Sequence, residues 1–451
     1  MGAVRGSDAH AAIEPSGRAL GPSARALATL TILLLLVVLS YVDRMVIVLM
    51  VDPIKADLGL TDVQISVVQG LSFALGFSLA GFPLAWIADR TSRNGVIFAG
   101  VILWSASTIS AAFVQNYEQL LVARVLVGVG EAALAPAAFS IVADLFRRGG
   151  MGLATGVLGA GAPIGAAMAV YAGGQLLAQA HGLPDFTFFG AESQVAWRKV
   201  FVMVGAPGLI LALLVFLIPS HRREEGPGEG RGGLRAYGRW LGGSWIFVLG
   251  LSFAGIQLGI AAYAVASWTP TFLSRQFEVD AGDIGSRLGL LQLAAGVCGY
   301  LASGAIIDTL IARGVINAGY RYLTVVAAVL LALGPVIFLV AGKDAAFALI
   351  GLFYLVIPYN AAIMATLSQA VPDRFRSRTI ALVTSAMTLA SMAVGPSSVA
   401  MLTDLVFADP KKVGWSLSIV LGVCLPLALL SLGLSWRAGA RAIHEQRGSG
   451  A

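Results

Sequence analysis

Long apolar stretches separated by short polar ones run the length of this chain. A helix rising 1.5 Å per residue needs ~20 predominantly apolar residues to cross the hydrocarbon of a bilayer. Twelve stretches reach that length: residues 27–51, 63–88, 95–114, 118–145, 151–179, 198–219, 243–273, 285–312, 321–341, 345–370, 377–405 and 413–436. The first is too long for a signal-peptide core and has no cleavage-like end, so it is expected to span and stay. Helices satisfy their own backbone in lipid. The pattern therefore predicts an all-α membrane protein with twelve transmembrane helices in two six-helix bundles.

The polar intervals divide this array. SHRREEGPGEGRGGLRAYGR, rich in Gly and charge, follows the sixth stretch and reads as a linker over 220–242 between halves at 27–219 and 243–436. Residues 1–26 are expected to be a disordered tail and 437–451 a second tail. A weak internal repeat supports two halves. GFPLAWIADRTSR, with Asp89, Arg90 and Arg93, follows the second stretch, and GAIIDTLIARG, with Asp308 and Arg313, ends the eighth.

Composition agrees: 57% of residues are hydrophobic, 12% are charged, and mean hydropathy is +0.84. The net charge of +6 would suggest nucleic acid in a soluble chain. Here it follows from topology. With both termini cytoplasmic, the cytoplasmic segments hold 20 of the 30 basic residues and the opposite face 8, which favours that orientation in a cell membrane. Cys298 and Cys424 lie in apolar runs and all four histidines lie outside them, so no disulfide framework, metal site or buried histidine switch is expected. No GxxxxGK[ST] phosphate loop occurs and no cofactor is implied. The reading is a gradient-driven transporter, not an enzyme, taken as a monomer whose partners are a small substrate, protons and the bilayer.

Four charges interrupt the apolar runs. Arg124 and Glu131, in RVLVGVGE, are seven positions apart on one helical face, with Gly128 between them allowing close approach. Asp43 and Arg44 sit in LSYVDRMVIVL. Charges in hydrocarbon are costly, need partners and mark function. At 1.5 Å per residue, Asp43 lies ~12 Å from the outer face, Arg124 ~9 Å and Glu131 ~20 Å. That spacing matches Asp43 with Arg124 and lets Arg44 reach Glu131. A carboxylate is expected to carry the coupling proton, Asp43 first and Glu131 second, because desolvation favours the neutral acid while a nearby Arg favours the carboxylate. The second half offers an uncharged wall that includes Gln257, Tyr263, Tyr359, Asn360 and Met364. A cavity charged on one side and aromatic on the other suits an amphiphile with its headgroup near Arg44 and Arg124.

The six-plus-six array, the charged loop at Asp89 to Arg93 and the Arg124-x-x-x-Gly128-x-Gly130 pattern resemble the major facilitator superfamily. The loop departs from the usual pattern at Ala85, Ser92 and Asn94. Within the superfamily, SYVDR, GVGEAALAPAAFSIVADLF and GPSSVAMLTDLVF are similar to the spinster-like group, whose eukaryotic members export sphingosine phosphate or lysophospholipids. The resemblance implies proton-coupled, alternating-access transport of such an amphiphile, with Asp89, Arg90, Arg93 and Asp308 at a cytoplasmic gate. Organic-anion transporters of the superfamily share the DR pair and the G-x-x-E-A, which keeps an organic-anion substrate as the alternative.

Overall fold

The computed structural model describes residues 24–146, 151–182, 187–188, 191–192, 195–219 and 233–449. Among them twelve helices are long and apolar enough to cross a membrane: α1 (Ala24–Leu49), α2 (Asp62–Ala88), α3 (Arg93–Phe113), α4 (Tyr117–Val142), α5 (Leu153–Gln179), α6 (Ala196–Leu217), α7 (Trp245–Phe277), α8 (Ala281–Ala312), α9 (Ala318–Ile337), α10 (Lys343–Ala370), α11 (Asp373–Phe407) and α12 (Pro410–Gln446). An even number of crossings puts both chain ends at one face, called here the termini face; the other is the far face. The exception to helix is a two-residue antiparallel pair, Thr187–Phe188 with Ala191–Glu192. Most of the expected first tail and of the linker lies outside the described residues. A short helix, Leu234–Gly243, begins where the linker re-enters them.

Helix ends carry their own signals. Thr61 and Gln64 form a reciprocal capping box before α2, and the side chains of Ser92, Asn116 and Asp280 accept from the first-turn N–H groups of α3, α4 and α8. Polar residues extend several spans beyond the apolar run. α7 continues through Arg275, and the last helix runs to Ser449, past the expected boundary at 436, because Ile443 remains buried on its inner face.

Three spans break where the polar chemistry gathers. In α1 the α-helix ends at Met45 and Val46–Leu49 follow as a 3-10 turn. In α4 the helix is interrupted at 132–133, directly after Glu131; Pro136 has no N–H for the Ala132 carbonyl and its ring crowds that carbonyl. In α10 the interruption spans 357–359 around Pro358, whose carbonyl accepts the Tyr322 hydroxyl of α9 at 3.2 Å. A broken helix inside a membrane is tolerated where such partners resatisfy the backbone.

Small residues set the closest crossings. A Cβ on Gly128 would stand 2.3 Å from the Phe73 carbonyl oxygen, which presses α4 against α2. Between the halves, a Cβ on Gly174 of α5 would stand 2.4 Å from the Ala281 carbonyl oxygen and 2.6 Å from the Gly285 Cα of α8. Nearby, the Gln175 amide donates to the Gly282 carbonyl at 2.9 Å. This seam lies near the far face, where α5 ends and α8 begins. Gly174→Val is therefore expected to wedge the far face open, read as faster labelling of a cysteine placed at Ser66. Gly422→Val, whose Cβ meets nothing within 4 Å, should leave labelling unchanged.

Candidate functional site

The packing of α1 against α4 brings all four membrane charges together. The Arg44 guanidinium donates to Glu131 Oε2 through Nη2 at 2.5 Å and Nε at 3.2 Å, with both side chains buried. Aromatic faces enclose the rest of that cation: Tyr41 at 4.5 Å, Phe73 at 4.3 Å and Phe77 at 5.8 Å from ring centroid to guanidinium carbon. The expected Arg44–Glu131 pair is formed.

The expected side-chain pair between Asp43 and Arg124 is not. Arg124, 0% exposed, donates instead to two backbone carbonyls, of Asp43 at 3.2 Å and of Arg44 at 3.0 Å. The reason is the local change from α-helix to 3-10 turn, where main-chain acceptors become available at a helix end. The Asp43 carboxyl, also 0% exposed, turns away from Arg124 toward the Trp104 indole and Thr108 hydroxyl of α3, the polar groups that interact with it there. Unpartnered buried polar atoms are few in folded proteins, yet here they concentrate, on Gln69, Ser105, Arg124 Nε and Glu131 Oε1.

Opposite stands the second half. Tyr263 of α7 interacts with Arg44 across the interface. Tyr359 closes the α10 break and Asn360 opens the helix after it; Tyr359 is buried near Tyr263 and Tyr300, and Asn360 is exposed and interacts with the Tyr300 hydroxyl. Met364 is half-buried one turn further, and Gln257 is buried on α7.

The residues expected at a gate on the termini face do not bridge the halves. Arg93 pairs with Asp144 of its own half at 2.7 Å, Arg90 lies over the Trp86 ring at 3.9 Å, and Asp308 is exposed without an ion pair among the described residues. The Asp89 side chain lies outside the described residues. The far face is tied instead. Arg275 at the end of α7 grips Asp52 at 2.6 Å and Asp62 at 2.8 Å, both in the first half; Lys55 also pairs with Asp62; and the Asp404 carboxylate of α11 accepts from the Val63 N–H at 2.8 Å. Sequence reasoning missed this cluster because its charges lie in separate polar intervals. The one signal was the concentration of acids in VDPIKADLGLTD. Two six-helix halves, tied by ion pairs at the far face and unbridged by these gate residues at the termini face, are the architecture expected of a membrane transporter.

The comparisons agree with that class. A family model described as Major Facilitator Superfamily matches residues 33–396, and the chain belongs to that family. It is 32% identical over 294 residues to an MFS-type efflux pump of Mycolicibacterium smegmatis, covering 64% of each protein. It is 28% identical to the mouse sphingosine-1-phosphate transporter SPNS2, over 53% of this chain and 42% of that one, and 22% identical to a probable L-galactonate transporter of Escherichia coli, over 64% and 63%. The matched regions thus span less than two thirds of each of these relatives. A crystal structure of a bacterial homologue of the human lysosomal transporter Spinster, inward-facing and unoccupied, superposes with a TM-score of 0.75 at 22% identity, covering 94% of this chain and 99% of that one. The chain thus belongs to a superfamily of transporters and has spinster-like proteins among its relatives.

Two outcomes follow from the geometry. Glu131→Ala strands the buried Arg44 cation and is expected to cost about 3–5 kcal/mol, whereas Glu131→Gln retains an acceptor and should cost less, as measured by denaturation of the purified protein. Arg275→Gln removes the cross-half grip and is expected to raise far-face cysteine labelling with little change in overall stability.

Proposed function

We propose that this chain is a proton-coupled transporter of an anionic amphiphile of the lysophospholipid or sphingosine-phosphate kind, working by alternating access. The observation that carries the reading is the Arg44 cation: it is held by Glu131, walled by Tyr41, Phe73 and Phe77, and met by Tyr263 from the other half. A phosphate headgroup competes with Glu131 for this guanidinium through charge-assisted hydrogen bonds. The acyl tail lies against Tyr359, Met364 and neighbouring apolar groups of the second half. Support for the substrate class comes from the sphingosine-1-phosphate and spinster relatives.

Asp43 carries the coupling proton. Its carboxylate is buried beside Arg124 without a direct bond to it and faces Trp104 and Thr108, so protonation removes a buried negative charge and leaves Arg124 as a local excess positive charge. That change favours entry of an anion and, through it, one of the two cavity orientations. Glu131 acts as the competitor that reclaims Arg44 when the substrate leaves. The termini face is cytoplasmic, supported by the excess of Lys and Arg on that side, and closure of the far face makes this the inward-open arrangement. Asp89, Arg90, Arg93 and Asp308 take part when the termini face closes.

A second reading, transport of a small organic anion, draws on the two site arginines and on the galactonate-transporter relatives. Reconstitution in liposomes tests both. A labelled lysophospholipid or sphingosine phosphate is expected to move faster with an imposed proton gradient. Asp43→Asn should abolish the gradient effect while retaining downhill exchange. Long-chain lysolipids should displace a bound probe and short organic acids should not; the reverse displacement would establish the second reading.

A further inference from the structure

A separate constellation lies at the termini face of the second half, away from the buried charges. α8 ends at Ala312 and α9 starts at Ala318. Between them Gly314 adopts a left-handed φ of +77°, its N–H bonds the Ile311 carbonyl at 2.9 Å, and the Val315 N–H reaches back to the Leu310 carbonyl at 3.0 Å. The turn is thus closed by its own backbone. Arg313 stands on it. Arg321 stands one turn into α9, where its N–H bonds the Asn317 carbonyl at 2.9 Å. α12 contributes Trp436, Ala440 and His444, which share a face at intervals of four residues.

These three elements border an open pocket of about 400 Å³ whose lining includes Arg313, Asn317, Arg321, Trp436, Ala440 and His444. Its base is rigid. Tyr320 packs edge-on against Trp436 with ring centroids 5.8 Å apart and donates to the Ser435 hydroxyl at 3.2 Å. No acidic side chain lines the cavity, and no ion pair engages Arg313, Arg321 or His444 among the described residues. Asn317 is only 6% exposed, and its Oδ1 has no hydrogen-bond partner.

Two guanidinium groups and an imidazole on three rigid elements suit a phosphate oxyanion. An amide acceptor in the same wall suits a hydroxyl on the same ligand. The position selects the source: the cavity sits where the spans leave hydrocarbon, Trp436 is the amphipathic side chain that favours that level, and α12 exposes Leu430 and Leu434 to lipid just below. We propose that this cavity binds the phosphodiester of an anionic phospholipid with a hydroxyl-bearing headgroup, such as phosphatidylglycerol, from the leaflet at the termini face. The site is distinct from the transport cavity and does not depend on which substrate that cavity carries.

Native mass spectrometry of the full-length protein in detergent, titrated with phosphatidylglycerol or phosphatidylcholine, tests the assignment. Arg313→Gln combined with Arg321→Gln is expected to weaken phosphatidylglycerol binding roughly 30-fold, on a scale of about fivefold per arginine at a membrane surface, with phosphatidylcholine unaffected. Ala440→Trp, which fills the cavity and leaves every charge in place, should give a comparable loss. Arg239→Gln, on the separate helix Leu234–Gly243, should not. Undiminished phosphatidylglycerol binding by both cavity variants would overturn the proposal. So would saturable binding of inorganic phosphate by a protein that forms no preferential phosphatidylglycerol complex, which would assign the oxyanion site to a soluble ligand.

Discussion

A guanidinium and a carboxylate buried together in a membrane must satisfy each other, because water is not there to do it, and the bond from Arg44 to Glu131 is what the first half is arranged to permit. Each ion loses several kcal/mol of hydration on burial, and only close, well-aligned contact with additional partners recovers it. Close contact requires α1 and α4 to meet at the height of the pair. Gly128 lets α4 sit hard against the α2 backbone, and α2 in turn supplies Phe73 and Phe77 to cover the cation. Arg124 completes the frame by bonding the carbonyls of residues 43 and 44. The charges therefore fix the helix breaks and crossings as much as the helices position the charges.

That frame gains its use from the second half. Tyr263, which reaches Arg44, and Arg275, which clasps Asp52 and Asp62, stand on the same helix α7, twelve residues or ~18 Å apart. α7 runs as one helix through both contacts, with Pro270 between them, so the contact with Arg44 and the approach of Arg275 to the far face lie on a single element. The far-face ion cluster is partly buried and multidentate, so it holds more strongly than an exposed pair. Yet it joins groups at or near helix ends, which can part without disturbing the packed interior of either half. In the proposed cycle, closure at that face and its release are linked to events around Arg44 through this one helix.

Much of this was legible in the sequence. Hydropathy alone placed twelve spans because lipid imposes a length that few other environments demand, and the cost of buried charge singled out Asp43, Arg44, Arg124 and Glu131 as one group. The rise per residue also matched Arg44 correctly to Glu131. It failed for Asp43 and Arg124 because height along an axis says nothing about a carbonyl released by a 3-10 turn, and a guanidinium donates to main-chain oxygens as readily as to a carboxylate. Span ends were misplaced where a helix outlasts its apolar run, as at Arg275 and Ile443. The far-face cluster was invisible for a different reason: Asp52, Asp62 and Arg275 are more than two hundred residues apart in part, and nothing local to either segment declares the other.

The division of labour between the two acids follows from adjacency. Asp43 and Arg44 are consecutive, so their side chains leave α1 in different directions, one toward α3 and the other toward α4. In the proposed cycle a proton arrives on the first and an anionic headgroup on the second, and both are sensed by the same short piece of backbone. Arg124 is bonded to the carbonyls of both residues, so neither event can shift that backbone without moving Arg124. Had the Asp43 carboxylate been paired with Arg124 directly, taking up a proton would have meant breaking a buried ion pair. Leaving the carboxylate without a direct bond to Arg124 while anchoring the arginine to the main chain lowers that obstacle, and in the proposed cycle it lets proton and anionic substrate favour each other through one local balance of charge.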